Sequence, residues 1–239
     1  MNYFDEYVKK YDMNIPEISY KYYHSYRVMD NMCLLAKNMS LPEKDIELAK
    51  CIGLLHDIAR FEQYKQFKSF NDFNLDHGTY GEHILRENNV LSNYRIDKED
   101  YEVVYKAIRN HNKFEIEPNL NNRELLFSKM IRDADKLDIL YALSDNKLKS
   151  IIREDDSIIS KKISSDFFNN KLCKKEKNFT TNDNIIILMG FIYDINYNFT
   201  LYLIKNNNYY NKIYSRLKHK VIFKPYIEHI NKYLNERVD

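Results

Sequence analysis

The residues that could do chemistry in this chain are imidazoles and carboxylates, and they stand where amphipathic helices should point into a core. His56-Asp57 closes the run Ser40-Leu-Pro-Glu-Lys-Asp-Ile-Glu-Leu-Ala-Lys-Cys-Ile-Gly-Leu-Leu-His-Asp57. Ser40 and Glu43 have the S-x-x-E spacing of a capping box with Pro42 in the first turn, so a helix is expected to begin near Leu41. Ala49, Ile52, Gly53 and His56 then share one face, with Asp57 about 100° round from it. Burying both side chains without partners would cost several kcal/mol, a penalty that a shared divalent cation removes.

The pattern recurs along the chain. His24, Val28, Met32, Leu35 and Met39 form a helical stripe, and Val104, Ala107, Ile108 and His111 form another. Phe127, Ile131, Ala134 and Asp135 bring a carboxylate inward within Ile131-Arg-Asp-Ala-Asp-Lys-Leu-Asp138. Asp72-Phe-Asn-Leu-Asp-His-Gly-Thr-Tyr-Gly81 puts His77 at the mouth of a further helix. The chain has only 4 glycines, and Gly53, Gly78 and Gly81 all lie beside candidate ligands, where they permit close backbone approach.

Taken singly, a core-facing histidine such as His24 or His111 is more often a hydrogen-bonded packing residue than a ligand, and His77 could simply open its helix. His83, about 240° round from His77, is expected to face solvent. Of the late aspartates, Asp135 shares the apolar face, Asp138 lies next to it, and Asp133 reads as structural. The joint occurrence is what carries weight.

In the order His24, His56-Asp57, Asp135, with His77 and His111 between, the chain resembles the HD superfamily of metal-dependent phosphohydrolases over about residues 20 to 145. The resemblance implies that His24, His56, Asp57 and Asp135 bind a divalent metal, and that His77 and His111 add a second, with Asp57 bridging. It also implies that Lys136, directly after Asp135, lies near a substrate phosphate. The donors, imidazole and carboxylate without thiolate, suit Mn, Fe, Co, Ni or Zn, with Mg also considered, as one or two ions. A metal of this kind acidifies water for attack on phosphorus, so no nucleophilic side chain is required.

Arg60, one turn beyond His56, could reach over the same site with a bidentate fork, and Lys113, two residues after His111, is a third substrate-binding candidate. Asp57, Lys136 and Arg60 are thus the expected catalytic set, with Asp76 a candidate acceptor orienting a ligand ring. His56-Asp-Ile-Ala-Arg60-Phe-Glu62 departs from the x-x-Glu-Asp that follows the pair in stringent-response hydrolases. Glu62 is also displaced from the glutamate of the small deoxynucleotidases, and His111-Asn-Lys-Phe lacks the Gly-Tyr-Pro of cyclic-dinucleotide phosphodiesterases. No subfamily follows.

Around these residues, the 239-residue chain reads as an all-α helical bundle of HD type with a C-terminal helical extension. Residues 1–145 form the catalytic core and 146–239 the extension, expected to supply a pocket wall or a homo-oligomer interface. The stretch from Ser144 to Asn184 is linker-like, Thr180-Thr-Asn-Asp183 can start a helix, and further helices follow at Phe199–Ile204 and Tyr209–Arg237, broken before Pro225. Net charge +2 gives little steering field, so dedicated nucleic-acid binding is not indicated, although tyrosines could stack on a base. Cys33, Cys51 and Cys173 have no C-x-x-C spacing, and the N-terminus lacks a secretory core, which together suggest reduced thiols in a cytoplasmic protein. Ile185–Tyr193 is apolar but too short to span a bilayer.

The expected activity is hydrolysis of a phosphoester or phosphoanhydride in a small, nucleotide-like substrate. The alternatives are a di-iron oxygenase of HD type and a non-catalytic module that senses a nucleotide.

Overall fold

The computed structural model describes residues 3–73, 75–145, 154–175 and 179–238. No strand forms among them, in keeping with an all-α chain. The helices are α1 (Tyr3–Val8), α2 (Pro16–Asn38), α3 (Glu43–Leu55), α4 (Ile58–Phe67), α5 (His77–Glu87), α6 (Tyr101–Asn110), α7 (Asn122–Ser144), α8 (Lys161–Phe168), α9 (Thr181–Met189), α10 (Asn198–Asn206), α11 (Tyr209–Arg216) and α12 (Lys220–Arg237). None is long and apolar enough to cross a membrane. The chain divides into two compact units, Met1–Asp135 and Lys136–Asp239, a division that falls inside α7.

In the first unit α2 packs along α3, α5 along α6, and α3 against α6. Val28, Met32 and Leu35 of α2 and Ala49 and Ile52 of α3 are fully buried, as their spacing requires. The close approach of α2 and α3 rests on Gly53, where a Cβ would lie 2.7 Å from Met29 Cα. Gly78 does the same for α5 and α6, since a Cβ there would lie 2.8 Å from Arg109 O.

The start of α3 corrects the expected capping box. Pro42 is the N-cap and no side chain caps the helix. Ser40 instead has φ 54° and closes α2: its N–H donates to Lys37 O, and that of Leu41 donates to Ala36 O. This is a left-handed C-terminal cap, whose carbonyl satisfaction outweighs a side-chain cap on the next helix. A capping box does form at α9, where Thr180 and Asp183 bond each other's backbone reciprocally.

In the second unit Ile185, Ile186, Met189, Leu201, Ile204, Phe223, Ile227 and Ile230 belong to one core, joined from α7 by Leu137, Leu140 and Leu143. The apolar run at 185–193 is thus core. The break in the last helical stretch falls at Leu217–His219, and Pro225 sits inside α12.

Candidate metal centre

His24 comes from α2, His56 and Asp57 from the α3–α4 junction, His77 from the first residue of α5, His111 from the C-cap of α6, and Asp135 from the middle of α7. The four histidines and Asp57 are at most 4 % exposed, and Asp135 is 16 % exposed. Asp57 turns inward beside His56 because α3 stops at Leu55, with Asp57 at φ −105°, ψ 18° before α4 begins. A continuous helix would have splayed the two side chains apart.

The Asp57 carboxylate divides the site. Its Oδ2 lies 3.4 Å from Nε2 of both His24 and His56, and its Oδ1 lies 3.4 Å from Nε2 of His77 and 3.5 Å from that of His111. On the first side Asp135 Oδ1 stands 3.1 Å from His24 Nε2 and 3.7 Å from His56 Nε2. On the second, the Nε2 atoms of His77 and His111 are 3.0 Å apart.

Backbone and carboxylate partners fix the tautomers. His56 Nδ1 donates to Gly53 O at 2.8 Å, His111 Nδ1 to Ile108 O at 2.6 Å, and His77 Nδ1 to Asp72 Oδ1 at 2.7 Å. These oxygens only accept, so the Nδ1 atoms carry the protons and the Nε2 lone pairs converge on the acids. Lone pairs and carboxylates in mutual contact repel unless a cation lies among them. Two donors each about 2.1 Å from one metal, at about 90–110°, sit about 3.0–3.4 Å apart, close to the separations found here. The donor set fits one cation held by His24, His56, Asp57 and Asp135, and a second held by Asp57, His77 and His111.

Electrostatics follow the same division. Burial tends to raise the Asp57 carboxyl, but Lys21 and His56 hold it well below the usual carboxylate range; the adjacent His24 and His56 rings do the same for Asp135 against its burial. Burial opposes protonation of His56, yet Asp57 and Asp135 raise its pKa above the ordinary value. Burial, and then Arg60, push His77 down to about 3, and burial lowers His111 despite Asp57. His77 is therefore a neutral imidazole at physiological pH.

The other expected residues are placed differently. Arg60 stands at the rim with Nε 3.6 Å from Asp57 Oδ1, while its Nη1 donates to Gln63, to Phe70 O and to Asp72 at 2.7–2.8 Å. Lys113 does not face the cluster: it pairs with Asp76 at 2.6 Å and donates to Thr79, so the start of α5 takes up its charge. Asp76 caps α5 through Thr79 N–H and does not orient a ligand ring; Asp72, one turn of loop earlier, does. Lys136 is buried and paired with Asp194 at 2.7 Å, because an ammonium withdrawn from water requires a carboxylate. His83 is exposed, as expected.

Besides Asp72, two residues escaped the sequence reading. Lys21, one turn before His24, reaches Asp57 Oδ2 at 2.5 Å. Arg132 is buried and donates to the carbonyls of Asn110, Lys113 and Phe114, which clamps the backbone on both sides of His111. The i−3 spacing to His24 was the available signal for Lys21; Arg132 had none, since its partners are backbone carbonyls at the end of α6 and in the loop after it.

An all-α protein whose His/Asp cluster, drawn from five helices around one carboxylate, could hold a metal ion falls in the class of helical proteins with a candidate metal site. The HD domain family matches residues 22–140, which include every residue of the cluster, and the chain is an HD-domain protein. The family is largely one of metal-dependent phosphohydrolases. No curated relative and no solved structure matches the chain.

Proposed function

We propose that this chain is a metal-dependent phosphohydrolase acting on a phosphoester or phosphoanhydride of a small, nucleotide-like molecule. The observation that carries the reading is the Asp57 carboxylate, with one oxygen toward His24 and His56 and the other toward His77 and His111. The chemistry such a site supplies when loaded is a water nucleophile acidified to near neutrality, together with electrostatic relief of the phosphate oxygens.

The chain's own residues do the positioning. Gly53 O, Ile108 O and Asp72 hold three imidazoles in the tautomer that presents Nε2 inward. Asp57 and Asp135 stay ionised and offset the cationic charge they hold. Burial of the six ligands keeps bulk water from competing, which strengthens every interaction between them and a phosphate.

The test is metal analysis of the purified protein beside a panel of nucleotides, dinucleotides and sugar phosphates assayed with Mn, Fe, Co, Ni and Mg. Bound transition metal and metal-dependent phosphate release are expected, and both should vanish in His56→Ala and Asp57→Ala. Full activity in either variant refutes the reading. Oxygen uptake by the iron-loaded, reduced protein would favour a di-iron oxygenase, and tight nucleotide binding without turnover would favour a sensing module.

A further inference from the structure

Two cations flank the bridging carboxylate, one on each side. Lys21 Nζ lies 2.5 Å from Asp57 Oδ2, on the side of His24, His56 and Asp135; Arg60 Nε lies 3.6 Å from Asp57 Oδ1, on the side of His77 and His111. Both rest against the ring of Phe70, at 5.6 and 5.5 Å from its centroid. Phe70 also accepts a hydrogen bond from Arg60 through its carbonyl, so the aromatic wedge and the guanidinium fix one another. The Arg60 Nε–H is buried and makes no hydrogen bond, which leaves a donor directed at the cluster without an acceptor.

The histidines and Asp57 form a buried floor, whereas Lys21, Arg60 and Asp135 keep 13, 12 and 16 % of their side-chain surface open. The opening is therefore rimmed by an ammonium and a guanidinium. Lys21 and Arg60 together carry two positive charges beyond any that the ligands hold.

We infer that Lys21 and Arg60 form a two-point clamp for the terminal phosphoryl group of a phosphate monoester. The inference rests on the hydrolase reading and narrows its substrate. A terminal phosphoryl group carries a second negative charge that a diester lacks, and it presents three unesterified oxygens. One can meet Lys21 and another the Arg60 guanidinium while the third faces the floor. A diester carries only one negative charge and leaves two unesterified oxygens for the three contacts. Charge-assisted contacts of this kind are among the stronger hydrogen bonds a protein makes.

The experiment uses the full chain loaded with Mn, inorganic phosphate as the calorimetric probe, and p-nitrophenyl phosphate against bis-p-nitrophenyl phosphate as the monoester and diester. Lys21→Met should keep its metal content and weaken phosphate binding at least about tenfold, which is about 1.4 kcal/mol, while Lys21→Arg restores most of it. Arg60→Lys should weaken phosphate binding similarly, because the ammonium lacks the fork. Wild type should prefer the monoester in kcat/KM, and the preference should shrink in both weakened variants. Unchanged phosphate affinity in Lys21→Met, or equal use of the diester by wild type, overturns the clamp alone. Loss of metal in both Lys21 variants would show that Lys21 merely supports Asp57, and would overturn it too. A wild-type protein that takes up no metal removes the hydrolase reading first.

Discussion

Asp72 shows how a residue outside the ligand set can govern it. Its Oδ1 accepts from His77 Nδ1 at 2.7 Å and from Arg60 Nη1 at 2.8 Å, so a single carboxylate sets an imidazole tautomer and holds a rim cation. Asp72→Ala should lower metal affinity by about 10–100-fold, the usual effect of losing a partner that orients a ligand histidine. Metal titration of the variant checks this, and an affinity equal to wild type would mean that His77 is held by its helix alone. The histidines themselves were legible because His24, His56 and His111 each lie on an apolar stripe whose period is visible in the sequence. Asp72 was not, since its approach to His77 depends on the path of a loop, and the adjacent Asp76 looked the better partner on spacing alone.

At the scale of elements, the site depends on helices that approach more closely than ordinary side chains allow. A Cβ at Gly53 would meet Met29 Cα at 2.7 Å, Met29 N at 2.9 Å and Val28 O at 2.9 Å, all of them backbone atoms of α2 that cannot rotate away. Gly53→Ala should therefore push α2 from α3 and cost about 1–3 kcal/mol, more than the small gain in helix propensity returns. A urea melt measures the loss, and a variant as stable as wild type would show that the helices can slide apart without penalty. Glycine scarcity made these positions readable. The α3–α4 junction was less so: the stripe through Ala49, Ile52 and His56 is correct, but nothing in the pattern shows that the helix halts at Leu55 and turns Asp57 in beside His56. The Ser40 cap failed for a related reason, because one short segment had to serve both the end of α2 and the start of α3, and the left-handed turn at Ser40 took precedence.

For the whole molecule, the sequence placed the six candidate ligands in the N-terminal portion and set the boundary at the end of α7. The structure divides within that helix, because its first half contributes Ile131, Ala134 and Asp135 to the first unit and its second half contributes Leu137, Leu140 and Leu143 to the core of the second. An unbroken helical period cannot reveal which core each turn joins. The division has a consequence for stability, since all six proposed ligands lie within Met1–Asp135 and span it from His24 to Asp135. Metal bound to the folded first unit stabilises it by about 2.7 kcal/mol when present at about 100 times its dissociation constant. Chelation should remove that increment, so amides in α2, α3, α5 and α6 that exchange through opening of the first unit should exchange about 100-fold faster. Amides in α9 to α12, whose core contains none of the ligands, should keep their rates. Hydrogen exchange read by mass spectrometry, with and without chelator, resolves the two groups of peptides; equal acceleration in both, or none in the first, would contradict a cation held by the six residues.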